Sequence, residues 1–185
     1  AASDVYKRQG TNGKYVCITR PRRFGKTVMA NMLGAFLTKS AATKKLFAQL
    51  NIGRDAEAMQ HINQYNVIYI DFSRISSNDY QSYIDNIAEA LKNDLHKAYP
   101  DVDYRAAGGV AEDLERITAA TGERFIFIFD EWDAIFHAAF ISEDDRKKYL
   151  LFLKDLLKDR VYVQLAYMTG VLPISKSVSY THLTL

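Results

Sequence analysis

The chain of 185 residues has few of the residues that mark disulfide-bonded or linker-rich proteins. It contains one cysteine, Cys17, together with only three prolines and nine glycines. A single cysteine excludes an internal disulfide, and because it lies in a predicted strand we expect it to be a small buried apolar residue in a reducing cytoplasm. No low-complexity tract, internal repeat or interdomain linker is present. These absences favour one ordinary globular domain.

Charge of one sign and long apolar runs are also scarce. The formal net charge of +2 gives no argument for nucleic-acid binding. No apolar run is long enough to span a bilayer and no segment resembles a signal peptide, so we expect a cytoplasmic protein without a membrane partner. The histidines are far apart and no pair has the helical spacing of metal ligands, so we expect them to be solvated or in the core: His61, His96, His137 and His182.

The first informative segment is an apolar run, Tyr15–Thr19, that leads into Gly25, Lys26 and Thr27. A strand followed by G-x-x-x-x-G-K-[ST] is typical of a phosphate-binding loop, although Arg20 stands where the general pattern has its first glycine. The residues of the pattern that contact phosphate and metal are present. Gly25 would let the backbone approach the phosphates, Lys26 would reach the β and γ oxygens, and Thr27 would offer a hydroxyl to Mg²⁺.

The second segment is the apolar run Phe125–Phe129, which ends in Asp130 and Glu131. Such a run is typical of a strand buried on both faces of a parallel sheet. In a Walker B site, Asp130 would hold the metal with its water shell and Glu131 would orient and deprotonate the attacking water. A Gly-Lys-Thr turn alone is often chance, and Asp-Glu after a strand is often a solvated loop. Their occurrence in this order favours a nucleotide site.

Three motifs resemble the bacterial AAA-ATPase-like family, whose phosphate loop commonly reads R-P-R-R-F-G-K-[ST] with arginine at the first glycine position. They are residues 20–27, 129–133 and 168–174, and the similarity runs from about Lys14 to about Lys176 with the strand 66–72 between. The resemblance implies an ATPase module of the additional-strand P-loop class that uses ATP and Mg²⁺. In this family a PD-(D/E)xK nuclease-like domain commonly follows.

The family resemblance also implies roles at the end of the last strand. In ATPases with an additional strand between those bearing the two Walker motifs, a polar residue there reaches the γ-phosphate or the attacking water, and Thr169 matches that place. Alternatively, Thr169-Gly170 merely ends a strand. Trp132 and Asp133 follow the acidic pair, where they would cover the site or contact a partner. For Trp132 we favour core packing.

The basic and aromatic residues of the loop allow two interpretations. Arg22 and Arg23 either contact phosphates or are solvated, and with Phe24 they complete the predicted cofactor-binding segment. Arg20 would brace the loop against an acidic neighbour where glycine normally turns. A trans-acting arginine finger is disfavoured because a finger projects towards a neighbouring nucleotide.

Strand and helix patterns alternate along the chain. Helices are predicted over 27–38, after Asp79 and before Pro100, over 110–120 and over 144–158, and strands over 15–19, 67–72, 125–129 and 161–168. Alternation predicts an α/β fold, specifically a three-layer α/β/α P-loop NTPase with a mainly parallel sheet of the additional-strand (AAA/ASCE-like) class.

The boundaries of the domain are set by the resemblance. We expect an incomplete AAA-ATPase-like domain over 10–176, shortened at its C-terminus, with tails 1–9 and 177–185 that fit neither the family nor a packing pattern. The resembling class normally adds a fifth strand and a helical lid after Thr169. The chain as given is therefore expected to bind ATP weakly and hydrolyse it poorly.

The sequence favours Mg²⁺-dependent ATP binding and hydrolysis that regulates an appended or partner domain. Two alternatives stay open: a nucleotide-binding switch with negligible turnover, and a nucleic-acid-associated module linked to a nuclease domain. Oligomeric state is left open by the sequence.

Overall fold

The computed structural model describes residues 14–39 and 41–172. The predicted tails 1–9 and 177–185 lie outside these residues. The strands are Tyr15–Thr19 (β1), Asn66–Asp71 (β2), Phe125–Asp130 (β3) and Val163–Gly170 (β4). The helices are Lys26–Leu37 (α1), Lys44–Ala48 (α2), Ala56–Met59 (α3), Tyr80–Ala98 (α4), Val110–Thr121 (α5) and Glu143–Leu157 (α6), and short 3₁₀ turns cover Asn51–Arg54, Phe72–Arg74 and Ala134–His137.

The four strands form one parallel sheet in the order β1-β4-β3-β2. Strand β4, the last in sequence, lies between β1 and β3 and pairs with β1 so that Thr19 is opposite Gly170. Every residue of β3 is buried, as expected for a strand covered on both faces. The predicted α/β fold, with an additional strand between those that carry the two motifs, is confirmed and agrees with a P-loop NTPase-like fold.

The chain divides into two compact units. The first contains the described chain up to Phe72, then Phe125–Asp133 and the chain from Gln164 onward. Its core forms where α1 places an apolar stripe on the sheet, because residues at helical spacing share one face. The buried members of this core include Ala30, Leu33, Phe36 and Leu37 of α1 with Val16, Ile126, Ile128 and Leu165 of the strands.

The second unit contains Ser73–Arg124 and Ala134–Val163. Its helices begin and end at the expected signals: the Asp79 carboxylate accepts from Ser82 N–H at the start of α4, and Gly122 ends α5 in the left-handed conformation. Between α4 and α5, His96 Nε2 lies 2.8 Å from the fully buried Asp113 carboxylate. None of the helices in the described part of the chain is long and apolar enough to cross a membrane.

Three features of the local structure differ from expectation. Cys17 is exposed, not buried, because β1 is an edge strand of the sheet within the described residues and only Val16 of its residues is buried. Helices α2 and α3 were not predicted, since helices of five and four residues show no helical period. The predicted first helix ends one residue early because Thr38 forms a parallel bridge with Tyr65.

Candidate functional site

The segment Arg20–Thr27, here called loop 20–27, turns the chain from β1 into α1. Arg23 and Gly25 both adopt positive φ, 68° and 73°. A Cβ added at Gly25 would meet nothing within 4 Å, so glycine is favoured there by its backbone conformation and not by crowding. Gly25 precedes the first helical residue, and its carbonyl accepts from Met29 N–H at 3.0 Å. The loop therefore delivers the chain directly into the first turn of α1.

Lys26 is a buried cation held across the loop. Lys26 is only 7% exposed. Its Nζ donates to the carbonyls of Arg20 at 3.0 Å and Pro21 at 3.1 Å. An ammonium has three donors, so one remains for a further acceptor. Buried lysines normally have an anionic partner, and the adjacent N-terminus of α1 also attracts anions through its unsatisfied N–H groups.

The other side chains of the loop face solvent. Arg22, Arg23 and Phe24 are exposed, Phe24 to 68%, and their side chains make no hydrogen bond or ion pair to a described residue. The Arg20 guanidinium donates to the Thr19 carbonyl at 3.3 Å, and no acidic brace for it occurs among the described residues. In this conformation Arg22 and Arg23 are solvated, and both guanidinium groups are accessible to an anion.

Asp130 ends β3 inside the protein. Its residue is fully buried, and Oδ1 accepts a hydrogen bond from the Thr169 hydroxyl. Oδ2 is buried and has no hydrogen-bond partner among the described residues, an arrangement that costs about 1–3 kcal/mol. Burial raises the pKa of the Tyr167 phenol and the nearby Asp130 carboxylate raises it further. A carboxylate oxygen without a partner is a suitable ligand for Mg²⁺ or its water shell.

Glu131 turns sharply away from the strand. Its φ is 50°, a conformation that costs a non-glycine residue about 1–2 kcal/mol, and backbone strain of this kind is concentrated at functional sites. The backbone N–H donates to Thr169 Oγ1 at 3.3 Å. The half-buried side chain makes no hydrogen bond to a described residue. The Thr169 hydroxyl thus bridges the two acidic residues, accepting from Glu131 and donating to Asp130.

Trp132 and Asp133 complete the segment Asp130–Asp133, called the acidic turn below. Trp132 is fully buried, which confirms the prediction of core packing, and its N–H donates to the Thr169 carbonyl at 3.0 Å. Asp133 Oδ2 accepts from the N–H groups of Val171 at 2.8 Å and Leu172 at 2.7 Å. These contacts of Asp133 were not predicted. The available signal was a third acidic residue soon after the strand that ends at Asp130.

The two predicted motifs meet at the end of β4. Thr169 contacts Asp130 and Glu131, and the next residue, Gly170, accepts from Arg20 N–H at 3.2 Å. Helix α1, which begins with Lys26 and Thr27, packs against β3. No hydrogen bond joins Lys26 or Thr27 to the acidic turn within the described residues. The link between the motifs therefore runs through β4.

A further acidic residue was missed by the sequence analysis. Asp71 is the last residue of β2 and is in parallel register with Asp130. Its signal is the same as that of Asp130, a carboxylate at the end of an apolar strand. The carboxyl ends of parallel strands are where ligands bind in open α/β sheets.

The family model described as a predicted AAA-ATPase matches residues 7–179 of the chain. No curated protein and no solved structure matches the chain significantly.

Proposed function

Because the chain belongs to the predicted AAA-ATPase family, we propose that it binds ATP with Mg²⁺ and hydrolyses it. Family membership implies nucleotide binding, and the finer assignment rests on the acidic turn. The observation that carries it is the buried Asp130 carboxylate with one oxygen bonded to Thr169 and the other without a described partner. Most buried polar atoms have a hydrogen-bond partner. Asp113 Oδ1 is a second carboxylate oxygen without a described partner, so the assignment of Asp130 rests on its place at the end of β3 beside Thr169 and Glu131 as well.

Phosphate binding is assigned to loop 20–27. The N–H groups at the start of α1 and the third donor of Lys26 supply contacts to phosphate oxygens. Lys26 already lies against two carbonyls, so its ammonium is held in place before nucleotide arrives. The exposed guanidinium groups of Arg22 and Arg23 add positive charge at the mouth of the loop, and Phe24 lies between them and Gly25.

Metal binding is assigned to Thr27 and Asp130. Mg²⁺ prefers oxygen ligands and keeps several waters, which fits one hydroxyl in the first turn of α1 and one carboxylate oxygen without a described partner. When bound, the ion would neutralise charge on the phosphates. The bond from Thr169 to Oδ1 fixes the direction in which Oδ2 points.

Water activation is assigned to Glu131. Its side chain makes no hydrogen bond to a described residue, so the carboxylate is available to accept a proton from the attacking water. Thr169 fixes the backbone on which Glu131 is carried. Its hydroxyl has a single proton, which goes to Asp130, so donation from Thr169 to a phosphate oxygen would require that bond to exchange, whereas its second lone pair can still accept from a water. We propose that hydrolysis regulates an appended or partner domain, as the resemblance to fused family members implies.

Titration of the protein with ATP by calorimetry tests nucleotide binding, with Mg²⁺ and with EDTA. We expect tighter binding with Mg²⁺, and loss of at least about 100-fold in affinity for Lys26→Ala, because removal of a buried charge from a phosphate contact costs several kcal/mol. The matched control is Lys45→Ala, an exposed lysine on α2. Equal affinity of Lys26→Ala and wild type would contradict the assignment.

Phosphate release under the same conditions separates the candidate functions. Mg²⁺-dependent release by wild type supports the ATPase. Tight ATP binding without release would instead support the nucleotide switch. DNA binding that weakens steeply with salt, in a protein that binds no ATP, would support the nucleic-acid module.

A further inference from the structure

We propose that Asp133 is a positioning residue for ATP hydrolysis, a role that rests on the proposed function. Its residue is 2% exposed, and Oδ2 accepts from two consecutive N–H groups, those of Val171 and Leu172. These N–H groups belong to the chain just beyond β4. Asp133 itself lies just beyond β3, so one carboxylate fastens the segments that follow both strands.

A carboxylate suits this role because its charge strengthens both bonds. Hydrogen bonds from N–H groups to an ionised oxygen are shorter and about twice as strong as neutral ones, and distances of 2.8 and 2.7 Å fall in that range. A buried carboxylate without such donors would be strongly unfavourable. The bonds therefore stabilise the charge and restrain Val171 and Leu172 together.

Crowding at Gly170 shows how closely the two segments approach. A Cβ at this residue would lie 2.5 Å from Trp132 Nε1 and 2.8 Å from Asp133 Oδ1. Gly170 has no positive φ, so space and not backbone conformation requires glycine. The backbone N–H of Trp132 also donates to the Thr169 carbonyl. The acidic turn thus contacts four consecutive residues, Thr169 to Leu172.

Thr169 connects this contact to the groups that we assign to the reaction. Its hydroxyl fixes the Asp130 carboxylate and the Glu131 backbone, and the segment that Asp133 holds begins two residues after it. Release of Val171 and Leu172 would let Thr169 move away from both acidic residues. Among the described residues, Arg20 N–H is the group of loop 20–27 that bonds to Gly170, so phosphate binding should be affected less than turnover.

The test is Asp133→Asn, measured for turnover, KM and tryptophan emission. We expect kcat to fall about tenfold, since one charge-assisted hydrogen bond is worth about that factor, with KM for ATP changed by less than about twofold. Trp132 is the one tryptophan of the chain and lies at this contact, so its emission should shift to longer wavelength as water enters. Asp101→Asn, at an exposed aspartate, should change none of these.

A second variant keeps the test valid if Asp133→Asn does not fold. Leu172→Pro removes one of the two donors and leaves the carboxylate, whereas Leu172→Ala keeps the donor and removes most of the side chain. Leu172→Pro should lower kcat in the same direction, and Leu172→Ala should not. A double variant of Asp133→Asn with Thr169→Ala should be no slower than the slower single variant, because both act through Thr169.

The outcomes distinguish this role from the proposed function. Wild-type kcat and emission in both Asp133→Asn and Leu172→Pro would overturn the role and leave the ATPase intact, and multiplicative losses in the double variant would also overturn it. If wild type binds ATP without turnover, Asp133→Asn should still reduce the gain in ATP affinity that Mg²⁺ provides, and an unchanged gain would overturn the role. Wild type that binds no ATP overturns both.

Discussion

Loop 20–27 and the acidic turn differ in burial and in the groups that they offer. The side chains of Arg22, Arg23 and Phe24 are exposed, and the loop presents N–H groups and cations. The acidic turn is nearly buried, and Asp130 and Asp133 make defined bonds to the end of β4. Under the proposed function, affinity for phosphate is expected to depend on charge and backbone at the loop, and turnover on exact side-chain positions at the acidic turn.

The largest effect that separates the two regions is expected for Glu131→Gln. General-base catalysis contributes about 10²–10⁴-fold, so kcat should fall by about that factor, whereas ATP affinity should be retained because the amide keeps the shape of the side chain. Phosphate release and calorimetry together check this. The control is Glu89→Gln, at an exposed glutamate of α4. If affinity and turnover fell equally in a folded protein, the assigned role of Glu131 would be wrong.

A smaller effect is expected when the bridge between Asp130 and Glu131 is removed. Thr169→Val keeps the volume but leaves Asp130 Oδ1 and Glu131 N–H without their partner. We expect kcat to fall about tenfold, corresponding to one lost bond to a charged group. Thr169→Ser restores the hydroxyl and should recover most of the activity. A valine variant as active as the serine variant would argue that Thr169 merely ends a strand.

A still smaller effect is expected when Arg20 of loop 20–27 is replaced by the glycine of the general phosphate-loop pattern. Arg20→Gly should not improve ATP binding, and should lower stability by about 0.4–1 kcal/mol because glycine adds backbone freedom to the unfolded chain. Pro21 already restricts residue 20 to an extended conformation that arginine tolerates. Arg20→Ala separates the backbone from the guanidinium and should resemble wild type. A higher Tm with tighter ATP binding for Arg20→Gly would show that arginine is a defect there.

The smallest effect lies away from both regions, at the start of α4. Hydrogen bonds from Ser82 lower the pKa of Asp79 below 3.8. A lowered folded-state pKa means that the stabilisation is present above the unfolded pKa and is lost as pH falls through the folded value. Asp79→Asn keeps a good helix cap without a titrating group. Thermal unfolding from pH 5 to pH 2 should therefore lower the Tm of wild type more than that of Asp79→Asn. Parallel pH profiles would contradict this.

The fold was predictable because its main elements carry strong local signals. The run Phe125–Phe129 has the pattern of a buried strand. Leu33, Phe36 and Leu37 have the helical spacing expected of a core stripe and are buried, whereas Val28 and Met32, expected in the same stripe, are exposed. Short helices such as Lys44–Ala48 show no helical period in the sequence. They depend on tertiary contacts, for example the packing of Phe47 on Phe36, whose ring centroids are 5.1 Å apart. The burial of β1 depends on its place at the sheet edge, which explains the error at Cys17.

The candidate site was predictable in its residue types and not in its contacts. Gly25, Lys26 and Asp130 were identified because their chemistry is tied to short motifs. The bridge by Thr169 and the bonds from Asp133 to Val171 and Leu172 join residues that are distant in sequence. Such contacts depend on β4 lying beside β3, a topological fact that spacing along the chain does not encode.

The most direct test is the nucleotide that each variant holds at equilibrium with ATP and Mg²⁺, measured by rapid filtration at a protein concentration high enough for the weak binding expected of the chain as given. Chromatography of the released nucleotide should find ATP on Glu131→Gln, ADP on wild type and almost none on Lys26→Ala. This pattern would assign binding to the loop and turnover to the acidic turn. Intact ATP on both wild type and Glu131→Gln, or nucleotide on Lys26→Ala at the wild-type level, would contradict the account.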